Sequence, residues 1–275
     1  MDYNKILDNI IEFCKQYFAE NPTLESIREK AAAGAATYAE AEEAAIICGS
    51  ILDTAFKIYL PEALIDGKLY QEAAEIVLKQ PLINGGKNLA EITAEIQQQL
   101  NESAGLGIKA ITPALNMDQL NGIIYGIVNA ESYEAGKESF FDAVTNFYEG
   151  YVDDFAKDNA EFLYQAGREP IIERVTAGKC CEWCEGLAGR YKYSDIRIGR
   201  SDVFRRHKNC HCMILYNPAD HGGRSSPGHR DSVGNAERQA RIADAQRRQD
   251  QQQQAEREAR AARIAFAESM KTGRR

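Results

Sequence analysis

The sequence lacks several features that would place it in common protein classes. No apolar run approaches the roughly 18 to 20 residues that a membrane span needs. The first residues show no basic segment followed by an apolar one, so we expect no secretion signal and a chain made in a reducing cytoplasm. A Gly-rich phosphate loop, a His-Glu-x2-His motif and a Gly-x-Ser-x-Gly motif are absent too, which argues against several enzyme classes.

Acidic and basic residues are unevenly distributed along the chain, whose formal net charge is -8. Residues 1–164 contain 11 Lys/Arg and 27 Asp/Glu. Residues 165–220 contain 10 Lys/Arg and 7 Asp/Glu, and residues 221–275 contain 12 Lys/Arg and 7 Asp/Glu. The front of the chain is therefore strongly acidic and the rear is basic. Such asymmetry favours contact between the rear and a polyanion or an acidic surface.

The front of the chain, residues 1–165, has the pattern of a helical domain. Its apolar residues recur every three to four positions, and its aromatic residues are spaced for a helical core rather than for a stacking platform. The Asn-Gly-Gly segment at 84–86 predicts a turn. Asn88 and Asn116 each stand three residues before Glu or Gln, which is the pattern of a capping box and predicts a helix start.

Three segments of different composition follow this domain. Residues 166–220 hold five of the seven cysteines and short β-prone stretches, which predicts a small zinc-stabilised α+β module. Residues 221–235 are rich in Gly, Ser and Pro and predict a flexible linker. Residues 236–275 have few apolar residues and predict a charged, basic tail that is helical or disordered. The expected fold class is therefore mainly α.

The spacing of cysteine and histidine in the module is typical of a zinc site. Cys181 and Cys184 form a Cys-x2-Cys pair, which supplies two thiolates from one tight turn. After 22 intervening residues, His207 and Cys210 form a second pair, and Cys212 lies two residues further. We expect zinc on Cys181, Cys184 and His207, with either Cys210 or Cys212 as the fourth ligand. Disulfides are the alternative for a protein that works outside a cell.

Basic residues lie beside these candidate ligands in the sequence. They are Arg197, Arg200, Arg205, Arg206 and Lys208. We expect this patch to bind nucleic acid through phosphates, an ordinary solvated surface being the alternative. Reading of base sequence is not expected, because the chain has no recognition-helix pattern.

A longer pattern covers residues 174 to 216. It comprises Arg174-Val175, Gly178, Cys181-x2-Cys184, Leu187-Ala188-Gly189, Tyr193 and His207-x-Asn209-Cys210-His211-Cys212. This pattern resembles the C-terminal module of phage Mu F-like minor head proteins. The order of parts is similar as well, with a helical region ahead of the module and a variable tail behind it. His211 stands where the family commonly has Arg.

The resemblance implies a structural virion protein without enzymatic activity. Proteins of this kind sit in few copies near the portal inside the phage head and assist head morphogenesis and DNA packaging or ejection. The implied partners are the portal and other head proteins, with packaged double-stranded DNA as a further contact, and zinc is the implied cofactor. The protein would be made in the host cytoplasm and end in the virion. Neither a membrane nor a small-molecule substrate is expected.

Two other functions fit parts of the pattern. An HNH-like nuclease also combines zinc cysteines with a catalytic histidine. However, His207 is expected to bind the structural metal, and His211 has no Asp or Glu directly beside it in the sequence. A zinc-dependent DNA-binding protein would use the basic patch but needs a reading element that is not apparent. The minor head protein is therefore the favoured interpretation.

Overall fold

The computed structural model of the chain describes residues 1–176, 180–207 and 210–221. Lys208, the predicted linker from residue 222 onward and the predicted tail at 236–275 lie outside these residues. Within the described part the fold is mainly helical, with one small antiparallel sheet and a Cys/His cluster. The predicted fold class is thus confirmed.

The chain divides into two compact units. The larger unit comprises residues 1–178 and 189–223. The smaller unit comprises residues 179–188 and 224–275. Of these, the structure describes residues 180–188, which contain the short helix Glu182–Leu187.

Seven α-helices precede the first strand in the larger unit, where every residue is described up to that strand. They are α1 (Tyr3–Glu20), α2 (Pro22–Ala32), α3 (Tyr38–Tyr59), α4 (Gln71–Val77), α5 (Lys79–Ser103), α6 (Met117–Val128) and α7 (Tyr133–Gln165). A 3-10 turn, Leu60–Ala63, extends α3. Side-chain caps fix several starts: Thr37 and Glu40 form a capping box, and Asn116 Oδ1 accepts from the backbone of Gln119, as its spacing predicted.

Helix α3 is the central helix of the larger unit and packs against α1, α5 and α7. The segment Tyr38–Ala63 is long and apolar enough to cross a membrane by length and composition, and half of its most apolar window is buried inside the fold. A buried core helix has the same character. Its one buried carboxylate, Glu42, is therefore an exception that needs a partner.

Helix α5 runs through the segment in which the sequence predicted a turn, so that prediction is wrong. Residues 84–86 are helical, and neighbouring side chains fill the space that side chains on the two glycines would occupy. A Cβ on Gly85 would lie 2.5 Å from Tyr148 Oη, and one on Gly86 would lie 2.8 Å from Leu115. The glycines therefore allow neighbouring side chains to approach the helix backbone. Asn88 lies inside this helix and not at its start.

A three-stranded antiparallel sheet follows the helices. Its strands are β1 (Pro170–Val175), β2 (Gly189–Lys192) and β3 (Met213–His221), in the order β2-β1-β3. Strand β1 lies in the middle, and Ile172 pairs with Tyr191 on one side and Tyr216 on the other. Between β2 and β3 come a short helix, Tyr193–Gly199, and a 3-10 turn, Ser201–Phe204.

The sheet and the helices share one hydrophobic core. Ile172, Tyr191 and Tyr216 belong to the same buried cluster as the helical side chains. Tyr216 also meets Tyr38 of α3, with ring centroids 6.0 Å apart. The predicted boundary at residue 165 therefore does not separate two cores, because the inner face of the sheet is covered by α3, α5 and α7.

Candidate metal centre

The Cys-x2-Cys pair lies at the start of the helix Glu182–Leu187. Cys181 is the N-cap residue, and its sulfur accepts a hydrogen bond from the backbone N–H of Cys184 at 3.4 Å. The turn therefore presents one thiol before the helix and one in its first turn. Within the same unit Trp183 and Leu187 are buried.

Two groups of sulfur and nitrogen atoms could hold a metal ion. The ligand atoms of Cys181, Cys184 and His207 lie within 4.8 Å of one another, and so do those of Cys184, Cys210 and Cys212. Each of the five predicted ligands belongs to one of these two groups, and Cys184 belongs to both. The structure does not choose between Cys210 and Cys212, because both sulfurs lie near Cys184.

The donor set suits a metal of borderline or soft character. Thiolate and imidazole are the ligands that tetrahedral zinc sites use, with Zn–S distances of about 2.3 Å. Sulfurs bound to one such ion are about 3.8 Å apart, so separations within 4.8 Å require only small adjustments. Cys180 belongs to neither group.

Arg174, in the middle strand β1, supports the segment that carries His207 and Cys210. The residue is 2% exposed, and its guanidinium donates to the carbonyls of Val203 at 2.5 Å and Arg205 at 3.0 Å. It also donates to the sulfur of Cys210 at 3.5 Å. A buried cation beside a thiol favours the thiolate form, which is the form that binds metal. The sequence pattern included Arg174 but gave it no role.

Arg206 links the same segment to the helical core. Its side chain is 8% exposed and donates from Nε to Asp153 at 2.5 Å and from Nη2 to Glu42 at 2.6 Å. Nη1 donates a further hydrogen bond to the carbonyl of Cys210 at 3.3 Å and lies 3.6 Å from Glu149. The interpretation of Arg206 as a nucleic-acid contact is therefore corrected: the guanidinium is buried among carboxylates.

Burial dominates the electrostatics around this arginine. It raises the pKa of Glu42 well above its usual range, with Arg206 opposing the shift. Burial likewise raises the pKa of Glu149 and of Asp153, and the charge of Arg206 again opposes the shift. Burial alone would lower the pKa of Arg206, but the adjacent carboxylates outweigh that effect and raise it. Arg206 lies against all three buried carboxyl groups, and their burial side by side favours retention of a proton among them.

The other predicted phosphate contacts have mixed surroundings. Arg197 is half exposed, pairs with Glu161 at 3.0 Å and lies over the ring of Tyr164. Arg200 lies over the ring of Tyr191. Arg205 is half buried, and its carbonyl accepts from Arg174. Of Arg197, Arg200 and Arg205, Arg197 is therefore the most exposed to solvent.

His211 has a carboxylate partner that the sequence did not reveal. Its Nδ1 lies 3.3 Å from Oε1 of Glu149, and its side chain is 58% exposed. The two residues are 62 positions apart in the chain, so only the packing of α7 against the end of the cysteine segment brings them together. A carboxylate on one ring nitrogen orients the other nitrogen toward solvent.

Comparison with known proteins gives no relative. No family model matches the sequence, and no curated protein or solved structure matches it. The function is therefore inferred from the residues and their geometry.

Proposed function

We propose that this chain is a phage minor head protein of the Mu F-like kind, a structural component that acts near the portal in head morphogenesis and DNA packaging or ejection. The observation that supports it most directly is the Cys/His cluster on the spacing of that family. The small sheet around the candidate ligands and the helical body before it agree with the order of parts in the family. The protein would reside in the virion after synthesis in the host cytoplasm.

In this proposal the metal is zinc, held by Cys181, Cys184 and His207 with Cys210 or Cys212 as the fourth ligand. Bound zinc would supply cross-links between chain segments and no reaction chemistry. Arg174 would hold Cys210 by its hydrogen bond to sulfur and balance the negative charge of the thiolates. Arg206 would hold the backbone of Cys210 to the helical core.

The proposed partners follow from the charge distribution. The acidic helical front, with 27 Asp/Glu against 11 Lys/Arg in residues 1–164, would dock on the portal or another head protein. Contact with packaged DNA would use Arg197 and Arg200 together with Lys208 and the basic rear of the chain. Such contact would weaken steeply with salt and would not depend on base sequence.

Zinc is tested by elemental analysis of reduced, purified protein. We expect about one equivalent of zinc per chain, reduced to a small fraction in Cys184→Ser because Cys184 belongs to both ligand groups. Cys180→Ser is the matched control and should retain the metal. Comparison of Cys210→Ser with Cys212→Ser identifies the fourth ligand. Less than about half an equivalent in the unmodified protein would contradict the zinc centre.

The virion role is tested by mass spectrometry of purified phage particles from a host that produces this chain. We expect the chain in the particles at a copy number far below that of the major capsid protein. Its absence from intact, DNA-filled particles would contradict the proposal, whatever the zinc content of the isolated protein.

The contact between His211 and Glu149 supports one alternative, an HNH-like nuclease. A histidine oriented by a carboxylate can act as a general base toward water. Metal-dependent cleavage of DNA with Mg or Mn that is lost in His211→Ala, while zinc is retained, would favour the nuclease over the structural role. We expect no DNA cleavage by the unmodified chain or by His211→Ala.

A further inference from the structure

A hollow of about 530 Å³ lies on the larger unit between α1, α2 and α5, apart from the cysteine segment. This volume falls within the roughly 300 to 1,000 Å³ of small-molecule sites. Its lining residues are Ile11, Cys14, Lys15, Phe18, Ala19, Arg28, Pro81, Asn84, Lys87 and Asn88. No sequence motif predicted a site here, because the lining comes from three separate helices.

The charges that line this hollow are all positive. Lys15, Arg28 and Lys87 line it, and no Asp or Glu does. This is the reverse of the surrounding domain, in which acidic residues outnumber basic ones by 27 to 11. Within the described part of the chain, none of these three cations forms an ion pair, whereas Lys30, Lys57, Lys79 and Lys137 each do. The hollow thus gathers positive charge that the protein itself does not neutralise.

Arg28 is the most significant of the three because it is half buried. Burial raises the pKa of the Cys48 thiol to about 12, and the charge of Arg28 acts in the opposite direction, which places the guanidinium close to the core. A bound anion would neutralise this half-buried charge, with which no acidic side chain of the described residues forms an ion pair. The hollow therefore has the electrostatic requirement of an anion site.

The remaining lining residues add an apolar surface and a polar donor. Ile11, Phe18 and Pro81 provide an apolar floor, the last two with buried side chains. The side-chain oxygen of Asn84 accepts from Gln80 at 2.8 Å, so its amide nitrogen is left as a donor for a ligand. Cations around an apolar floor are the complement of a molecule that carries one anionic group on an apolar body.

We propose that this hollow binds a small amphipathic anion, a carboxylate or phosphate attached to an apolar group. Arg28 and Lys87 would contact the anionic group, and Phe18 and Pro81 the apolar part. Arg28 suits either group, because its guanidinium can donate two parallel hydrogen bonds to carboxylate or phosphate oxygens. This site is independent of the metal centre and of the role in the phage head.

The test is calorimetric titration of the full chain with phenyl phosphate and octanoate, which distinguish the two anionic groups. Benzyl alcohol tests the apolar part alone, and inorganic phosphate tests the charge alone. We expect saturable 1:1 binding of at least one amphipathic anion, and binding of benzyl alcohol and inorganic phosphate weaker by about tenfold or more. Lack of saturable binding by both amphipathic anions would overturn the proposal.

Variants place the binding in this hollow. Lys15→Gln/Lys87→Gln changes two exposed cations and should weaken binding about tenfold or more without affecting the fold. Lys5→Gln/Lys68→Gln removes the same charge elsewhere and should change affinity less than about twofold. Ala19→Phe, which fills the hollow without changing charge, should also reduce binding. Equal losses in the two double variants, or unchanged binding in Ala19→Phe, would show that the anion binds elsewhere and would overturn the assignment.

Discussion

At the scale of single residues, the guanidinium of Arg206 lies against three buried carboxyl groups from two helices. Glu42 belongs to α3, whereas Glu149 and Asp153 belong to α7, and all three are at most 3% exposed in their side chains. A buried ion pair adds little net stability compared with apolar packing, but removal of one partner is strongly destabilising. The contribution of this arginine to stability is therefore measured mainly as the free energy of unfolding that is lost when it is replaced.

Replacement of Arg206 by Met is expected to lower the free energy of unfolding by about 3 to 5 kcal/mol at pH 8, because three buried carboxyl groups lose their cation. The loss should be smaller at pH 5, since burial has already raised the pKa values of these groups and protonation removes their charge. Urea unfolding measures both values. Arg197→Met, at an exposed ion pair, is the control and should cost about 1 kcal/mol or less. A similar small loss in Arg206→Met would contradict the role assigned to it.

Asp154 gives a pH dependence of its own. Burial raises the pKa of Asp154 to about 6 from 3.8, against the opposing charge of Lys157. The folded protein therefore binds this proton more tightly than the unfolded chain does, and the resulting stabilisation is complete below pH 3.8 and is lost as pH rises through 6. Asp154→Asn should then raise the free energy of unfolding on the order of 1 kcal/mol at pH 7.5. The difference from the unmodified protein should disappear near pH 4, and a difference that does not vary between these pH values would refute the assignment.

At the scale of elements, helix α5 shows how packing overrides local sequence. An Asn-Gly-Gly segment favours a turn on its own, but Tyr148 and Leu52 occupy the space above Gly85 and keep the helix continuous. Tyr148 also donates to the carbonyl of Leu82 in the same helix at 2.7 Å. The close contact between α5 and α7 therefore depends on the absence of a side chain at position 85.

Gly85→Ala is expected to destabilise the protein by about 1 to 3 kcal/mol, because the new methyl group would meet Tyr148 and Leu52. The matched control is Gly122→Ala on α6, where nothing lies within 4 Å of the added carbon. That change should stabilise by up to about 1 kcal/mol, since alanine favours the helix. Thermal unfolding of both variants measures these changes in stability, which should have opposite signs. Stabilisation by Gly85→Ala would contradict the packing described.

Local signals in the sequence were sufficient for some elements and not for others. The cap at Asn116 and the presence of short strands within residues 166–220 were predicted because their information lies within a few residues. The same holds for the candidate metal ligands, whose spacing is itself the signal. Arg206 was assigned to the surface because its partner Glu42 is 164 residues away in the chain. Pairings of such separation have no signature in a single sequence.

At the scale of the whole molecule, the helices and the candidate metal centre should respond differently to a chelator. The helices have a large apolar core of their own, while the carbonyls of Arg205 and Cys210 are held by hydrogen bonds and His207 and Cys210 by the proposed zinc. A strong chelator is expected to lower the midpoint of thermal unfolding by about 5 °C or more while the helical circular dichroism at 20 °C is retained. Reagent-accessible thiols should increase at the same time. Complete loss of helicity on chelation would show that the helical core is not self-sufficient.

The long sequence separation between Arg206 and its carboxylates also sets an order of events during synthesis. Helix α7 is complete at residue 165, but the cation for Glu42 and Asp153 is made 41 residues later, roughly 2 to 8 s at ordinary translation rates. Until then the nascent helices have either to keep these carboxyl groups protonated or to leave them in water. A ribosome stalled near residue 165 would therefore hold the helices without the arginine that pairs with Glu42 and Asp153.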